Sequence, residues 1–273
     1  MRRFLRFNLR ALLVAVTVLA VWLGLHVHRT RMQEQSVRQI RDHGGWVAYD
    51  YQIPNGDFDA NSVSPIPSWL RQRLGYDFFH SVAEVSFHIR RNADGALTVS
   101  RNPEVLPLPT LLSGVPSTQC LRLWGTQVND ENLKAVAKLS NLKSLVIVDG
   151  ENVSDAGTVH LKNLDQLDWL VITGSRITDE SISVFAELPR LRVLNLAASK
   201  LTNSGVSRLS SSEKLKNLFL HGTDDRANEV DDNGIMALKS LPNLQFLGVK
   251  NTQVTDDGIT EFTASCPGCK VQR

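Results

Sequence analysis

Residues 244–262 read LQFLGVKNTQVTDDGITEF. Leu247 and Val249 flank a single residue, the period-two spacing of a strand that buries one face. Thr252 and Val254 follow as a turn across an interior. Asp256 then precedes Ile259 and Phe262, an acidic helix start with apolar residues three apart. A strand and a short helix joined in this way each bury only one edge, so the unit has no core of its own.

Neighbouring segments supply what is missing. The same frame occurs at Leu215, Leu218, Leu220, Thr223, Val230, Asp232, Gly234 and Ile235, and again at Leu191, Leu194, Leu196, Ser199, Leu201, Asn203, Gly205 and Val206. Earlier copies carry Leu167, Leu170, Ile172, Ser175, Ile177 and Asp179, then Leu142, Leu145, Ile147, Val153 and Asp155, and first Thr118, Leu121, Leu123, Thr126, Val128 and Asp130. The copies start at 118, 142, 167, 191, 215 and 244, in steps of 24, 25, 24, 24 and 29. Stacked units of this kind bury a continuous core as a solenoid. The repeat domain is placed at residues 118–273, with 265–271 closing it as a stub strand. The residues at 130, 155, 179, 203, 232 and 256, all Asp except Asn203, read as helix N-caps.

The pattern resembles the leucine-rich repeat family, in particular bacterial membrane-anchored arrays of the form L-x-x-L-x-L-x-x-T-x-V-T-D-x-G-L-x-x-L, related to the ribonuclease-inhibitor and cysteine-containing classes. The resemblance covers about 155 residues. It implies an α/β fold: a short horseshoe solenoid with a parallel concave sheet and short convex helices, following an N-terminal transmembrane helix. It also implies a binding function without catalysis or cofactor. Asn203 in place of Asp, and Asn132 and Ser181 in place of Gly, depart from the pattern.

In such a solenoid the residues between the inward leucines face outward on the concave side. In register these are Cys120, Ser144, Trp169, Val193, Asn217 and Phe246; then Arg122, Val146, Val171, Asn195, Phe219 and Gly248; then Trp124, Val148, Thr173, Ala197, His221 and Lys250. Aromatic and aliphatic side chains on a face expected to meet water mark an interaction surface. The candidate ligand-binding residues are therefore Arg122, Trp124, Val146, Trp169, Val171, Asn195, Phe219, His221, Phe246 and Lys250. The expected partner is a protein or peptide, with a cell-envelope polymer as another possibility. The competing reading is that residues 46–110 fold over this face and bury it.

The N-terminus has a different chemistry. Residues 1–10 are basic, and Ala11–Val27 is an uncharged run of 17 residues, at the short end of what spans a bilayer. A secretory signal is the rival reading. Its only fair processing site, Val18-Leu19-Ala20, lies inside the run and would leave VWLGLHV on the product, which favours an uncleaved anchor at 11–27. Four arginines precede the run and only Arg29 and Arg31 closely follow it, so the positive-inside bias puts the N-terminus in the cytoplasm and the repeats outside. Residues 28–45 read as a juxtamembrane helical stalk ended by Gly44-Gly45. Residues 46–117 read as a capping region, with strands at Trp46–Tyr51 and Val82–Phe87 and a helix capped by Ser68.

Residues 1–43 hold eight Arg against Glu34 and Asp42, or +6, leaving 22 basic and 26 acidic groups, or −4, for the rest. A mildly acidic body does not collect phosphates, so nucleic acid is not expected as a partner. Three cysteines are too few for a disulfide framework. Cys266-Pro-Gly-Cys269 has the spacing of a redox dithiol, and an envelope thiol–disulfide enzyme is the alternative function; a structural, self-associating spacer is another. The insertion Asp224–Glu229 reads as a solvated loop without calcium-loop spacing.

Overall fold

The computed structural model describes residues 9–54, 58–87, 89–91, 97–99, 106–124, 128–223 and 228–273. It opens with helix α1 (Leu9–Asp42), strand β1 (Trp46–Tyr49), helix α2 (Ser68–Leu74), strands β2 (Val82–Phe87), β3 (Ile89–Arg91) and β4 (Leu97–Val99), and helix α3 (Leu108–Ser113). The repeats follow as β5 (Cys120–Trp124), α4 (Asp130–Val136), β6 (Ser144–Val148), α5 (Asp155–Thr158), β7 (Trp169–Ile172), α6 (Asp179–Ala186), β8 (Val193–Asn195), α7 (Asn203–Arg208), β9 (Asn217–Phe219), α8 (Asp232–Met236), β10 (Phe246–Gly248), α9 (Asp256–Ser265) and β11 (Lys270–Gln272).

Nine strands make one sheet in the order β1-β2-β5-β6-β7-β8-β9-β10-β11. All neighbours from β2 to β11 are parallel, and Leu121, Leu145, Leu170, Leu194, Leu218 and Leu247 stand in one register row. Each of these leucines is fully buried. This is the leucine-rich repeat solenoid. β1 is antiparallel to β2, so the N-terminal edge is closed by a strand running against the rest. Trp46–Tyr49 is thus shorter than the strand expected to Tyr51; Asp50–Gln52 turns as a 3-10 helix. α2 begins at Ser68 with Pro67 preceding it, so Ser68 lies inside the helix and does not cap it.

The convex side corrects the reading of the acidic residues. The N-cap of each short helix is the residue before them: Asn129, Ser154, Thr178, Thr202, Asp231 and Thr255, each accepting a backbone N–H of its own first turn. The Asp occupies the first helical position and reaches into the next repeat. Asp179 accepts from Thr202 N (2.9 Å) and Thr202 Oγ1 (2.6 Å), Asp130 does the same with Ser154, and Asp232 with Thr255. These charge-assisted bonds form a ladder along the solenoid. Asp256, in the sixth copy, pairs with Arg273.

The ladder also accounts for two departures from the motif, Ser181 and Asn203. A Cβ on Gly205 would stand 2.0 Å from Asp179 Oδ1, and one on Gly258 equally close to Asp232 Oδ1, so that position takes glycine. Ser181 replaces it by donating to the Asp155 carboxylate. Where the next cap is Asp231, the preceding rung is Asn203, whose amide donates to Asp231 Oδ1 (2.7 Å) and accepts from Asp231 N (3.0 Å). A carboxylate at 203 would face a second carboxylate there.

The insertion in the fifth copy is anchored from within. Residues 224–227 lie outside the described residues. Asn228, expected in a solvated loop, is fully buried, donating to Leu196 O and Leu220 O and accepting from Leu201 N. It satisfies backbone groups that the longer turn would strand in the core.

α1 is one helix through the two segments assigned to anchor and stalk. It contains an apolar window of mean hydropathy 2.1, none of it buried, and is long and apolar enough to cross a membrane. Its second half packs onto the solenoid end. Ser36, Val37 and Ile40 are buried, Gln33 donates to Asp77 Oδ1 (2.9 Å) and His80 O (2.7 Å), and Ser36 Oγ accepts from Gly114 N. The segment read as a stalk is therefore docked on the cap.

Candidate functional site

Alternation along the strands sets Arg122, Val146, Trp169, Val171, Asn195, Phe219 and Phe246 beside buried leucines and on the opposite face, while Trp124 ends β5 and His221 and Lys250 follow β9 and β10. The two ends of that face differ. At the N-terminal end the face is covered. Every residue of β2 is buried, including outward-facing Glu84 and Ser86. Glu84 is ion-paired with Arg122 and accepts from Ser86. Trp46, level with Ser86, meets Phe58 edge to face at 5.0 Å. Ile53, Pro54 and Phe58 stand across a cleft of about 860 Å³ from Arg122, Val146 and Trp169. Of residues 46–110, Trp46, Ile53, Pro54 and Phe58 thus reach over this end, while Arg122, Val146 and Trp169 still line the cleft. Arg122, whose pKa burial lowers, is held by Glu84 and is not free to set a ligand's polarity.

Trp169 stands at the far wall of the cleft with 46% of its surface exposed. Trp124, Val146, Val148 and Val171 are partly buried, and the Trp124 indole N–H has no partner among the described residues. Asn195 turns its carbonyl to Ala197 N (3.0 Å), a local bond that shapes the strand exit.

Toward the C-terminal end Phe219 lies 5.0 Å from Phe246 and 5.8 Å from His221. His221 Nδ1 accepts from Lys250 N (3.0 Å). Burial, and secondarily the Lys250 charge, lowers its pKa, which favours the neutral ring with its proton on Nε2. Gly248 makes room: a Cβ there would stand 2.5 Å from the imidazole. Lys250 is exposed beside the cluster. The result is an apolar patch of two phenyl rings, a neutral imidazole and one cation.

Two other clusters have catalytic-looking chemistry. Ser64 Oγ lies 2.7 Å from His80 Nε2, and His80 Nδ1 lies 3.0 Å from Asp50 Oδ1, the connectivity of a hydrolytic triad. Sequence reading missed it, because the three residues fit no short motif. The exposure runs opposite to what catalysis needs: Ser64 and His80 are buried, the Asp50 side chain is about half exposed, and neither Ser64 nor His80 lines the described clefts. Ser64 Oγ also accepts from Ile66 N, and Tyr51 packs on the His80 ring at 4.5 Å. The cluster buckles the 58–67 loop onto β2. Cys266 ends α9, and Cys269 is buried, its thiol pushed up to about 11 by burial and by Cys266. Such a thiol is almost wholly protonated at neutral pH, unlike a redox nucleophile.

No family model matches the sequence, and no curated protein does. Among solved structures, the chain is similar to an internalin from Listeria monocytogenes, with 24% identity and a TM-score of 0.42 over 62% of this chain and 44% of that one. It is similar to internalin C2 from the same organism, with 22% identity and a TM-score of 0.44 over 60% of this chain and 73% of that one. The plant peptide hormone receptor RGFR1, in complex with RGF2, shares 10% identity at a TM-score of 0.37 over 68% of this chain and 40% of the receptor. The match spans less than half the length of the first of these.

Proposed function

We propose that the chain is a membrane-tethered, non-catalytic binding module that takes an extended protein or peptide segment along the concave face. Trp169, Phe219 and Phe246 are the anchors, His221 and Lys250 give the face its polarity, and Ile53, Pro54 and Phe58 stand at one wall. The observation that carries this reading is the Trp169 side chain, 46% exposed in the middle of the sheet with an open cleft on one side. Large aromatics in such positions contribute most where a partner buries them. The anchor is the apolar half of α1, with the arginine-rich end cytoplasmic and the repeats outside; protease applied to intact cells then digests the repeats.

Two features disfavour catalysis as the main activity: the buried Ser64 and the protonated Cys269. The test is selection of random peptides displayed on phage against the immobilised full chain. Enrichment of related sequences, lost in Trp169→Ala/Phe219→Ala with unchanged circular dichroism, is expected. Enrichment that survives the double substitution, or none at all, contradicts the site.

A further inference from the structure

Outside α1, six large apolar side chains are exposed among the described residues, and four lie in one short stretch: Val63, Trp69, Leu74 and Tyr76. That stretch, residues 60–76, carries Arg71 and Arg73 and no acidic residue. Arg71 lies over the Tyr76 ring at 5.0 Å and donates to its hydroxyl at 2.7 Å, which ties α2 to the turn that follows. That turn ends at Phe78 and Phe79, which meet edge to face at 5.0 Å.

The turn touches α1 where the apolar run ends. His26 Nε2 bonds Phe78 O at 2.9 Å, the His26 ring meets Phe78 edge to face at 4.6 Å, and Trp22 stacks on His26 at 5.3 Å. Two turns further on, Gln33 is bonded to Asp77 and His80, so the turn is fixed to the helix at two heights. The uncharged run is 17 residues, about 26 Å at 1.5 Å per residue, against a hydrocarbon core of about 30 Å. A span this short draws whatever is fastened to its end against the bilayer. The segment fastened there exposes Trp69 and Tyr76 and carries two arginines against one acid, Asp77, whose carboxylate is bonded by Gln33 and Tyr49, a composition suited to the headgroup layer of an anionic membrane.

We propose that α2 and the turn after it, through Trp69, Leu74, Tyr76, Arg71 and Arg73, lie in the anionic lipid headgroup layer of the membrane that α1 crosses. This rests on the anchor reading above. It turns a flexible tether into two-point seating, with the solenoid held at a fixed tilt and its concave face presented in one direction.

The test reconstitutes the full chain in vesicles of phosphatidylcholine, alone or mixed with phosphatidylglycerol, with bromine on the lipid chains close to the glycerol. The wild type minus Trp69→Phe difference isolates the Trp69 emission, and wild type minus Trp22→Phe isolates that of Trp22. The expected result is quenching of both, with Trp69 quenched more strongly when phosphatidylglycerol is present. Arg71→Gln/Arg73→Gln is expected to abolish that increase and leave Trp22 unchanged. Quenching of Trp22 without Trp69 overturns the headgroup surface and leaves the anchor standing. Quenching of neither overturns both. Trp69 quenching that is indifferent to phosphatidylglycerol overturns the anionic specificity.

Discussion

The convex turns and the concave strands of this solenoid are built from the same repeats under opposite constraints. At the helix starts the chain returns to the same residue types, because an Asp must meet the hydroxyl and backbone N–H of the next repeat and needs a glycine or Ser181 to make room. Even the exception keeps the rule: Asn203 stands where the next cap is Asp231. One strand over, the outward positions run Cys120, Ser144, Trp169, Val193, Asn217 and Phe246 with no common chemistry. Recurrence within the chain marks what stacking requires. Its loss marks positions that stacking leaves open, and these carry the exposed Trp169 and the Phe219–Phe246 pair.

Substitutions can break that comparison, and adjacent residues do so most sharply. Leu170→Ala empties a fully buried site and is expected to cost about 2–5 kcal/mol in denaturant unfolding. Trp169→Ala, one residue away on the other face, is expected to cost less than about 1 kcal/mol. Similar costs for the two would erase the distinction between frame and face.

Asn203→Asp comes next. Desolvation pushes the Asp231 carboxyl up, and hydrogen bonds led by the Asn203 amide outweigh it and hold the pKa down. Replacing that amide by a carboxylate removes the donor and opposes two anions, so a lower denaturation midpoint is expected. Adding Asp231→Thr restores the rung used elsewhere, and the double variant is expected to recover most of the loss.

A smaller effect is read from pH. Burial raises the Asp155 carboxyl, but hydrogen bonds from Ser181 and Thr178 outweigh it, so the folded-state pKa is lowered. A depressed carboxylate contributes stability that is present above its unfolded pKa of about 4 and lost as pH falls through the folded value. The acid limb of the stability profile is expected to flatten in Asp155→Asn. An unchanged limb would remove Asp155 from the ladder.

The smallest effect is a gain. Ala198 leaves its strand with φ 53°, in the left-handed region that Gly174 occupies one repeat earlier. Ala198→Gly is expected to stabilise by up to about 1 kcal/mol, a small upward shift of the melting temperature.

These contrasts also explain what the sequence made legible. The spacing of Leu121, Leu145, Leu170, Leu194, Leu218 and Leu247 is periodic, so the sheet, its register and the outward face could be read directly. The role of the acidic residues was misplaced by one position, because Asp179 and Thr202 are adjacent only after the solenoid stacks. The N-terminal third has no period to read. The docking of Gln33 and Ser36, the antiparallel β1, the pairing of Glu84 with Arg122 and the Ser64–His80–Asp50 buckle each join residues 16 to 78 apart without a recurring motif. For that reason Arg122, chosen as a ligand contact, is instead occupied by the chain's own cap.

The central claim is that the concave face, and not the convex one, meets the partner. A photoreactive phenylalanine analogue at position 169 or 219, compared with one at exposed Val159 on the convex side, tests it in intact cells. Adducts to a protein at 169 and 219, with little at 159, are the result this account predicts. Adducts of equal yield at all three positions, or at 159 alone, would contradict it, and adducts only to a second copy of the chain would make the face a self-association surface.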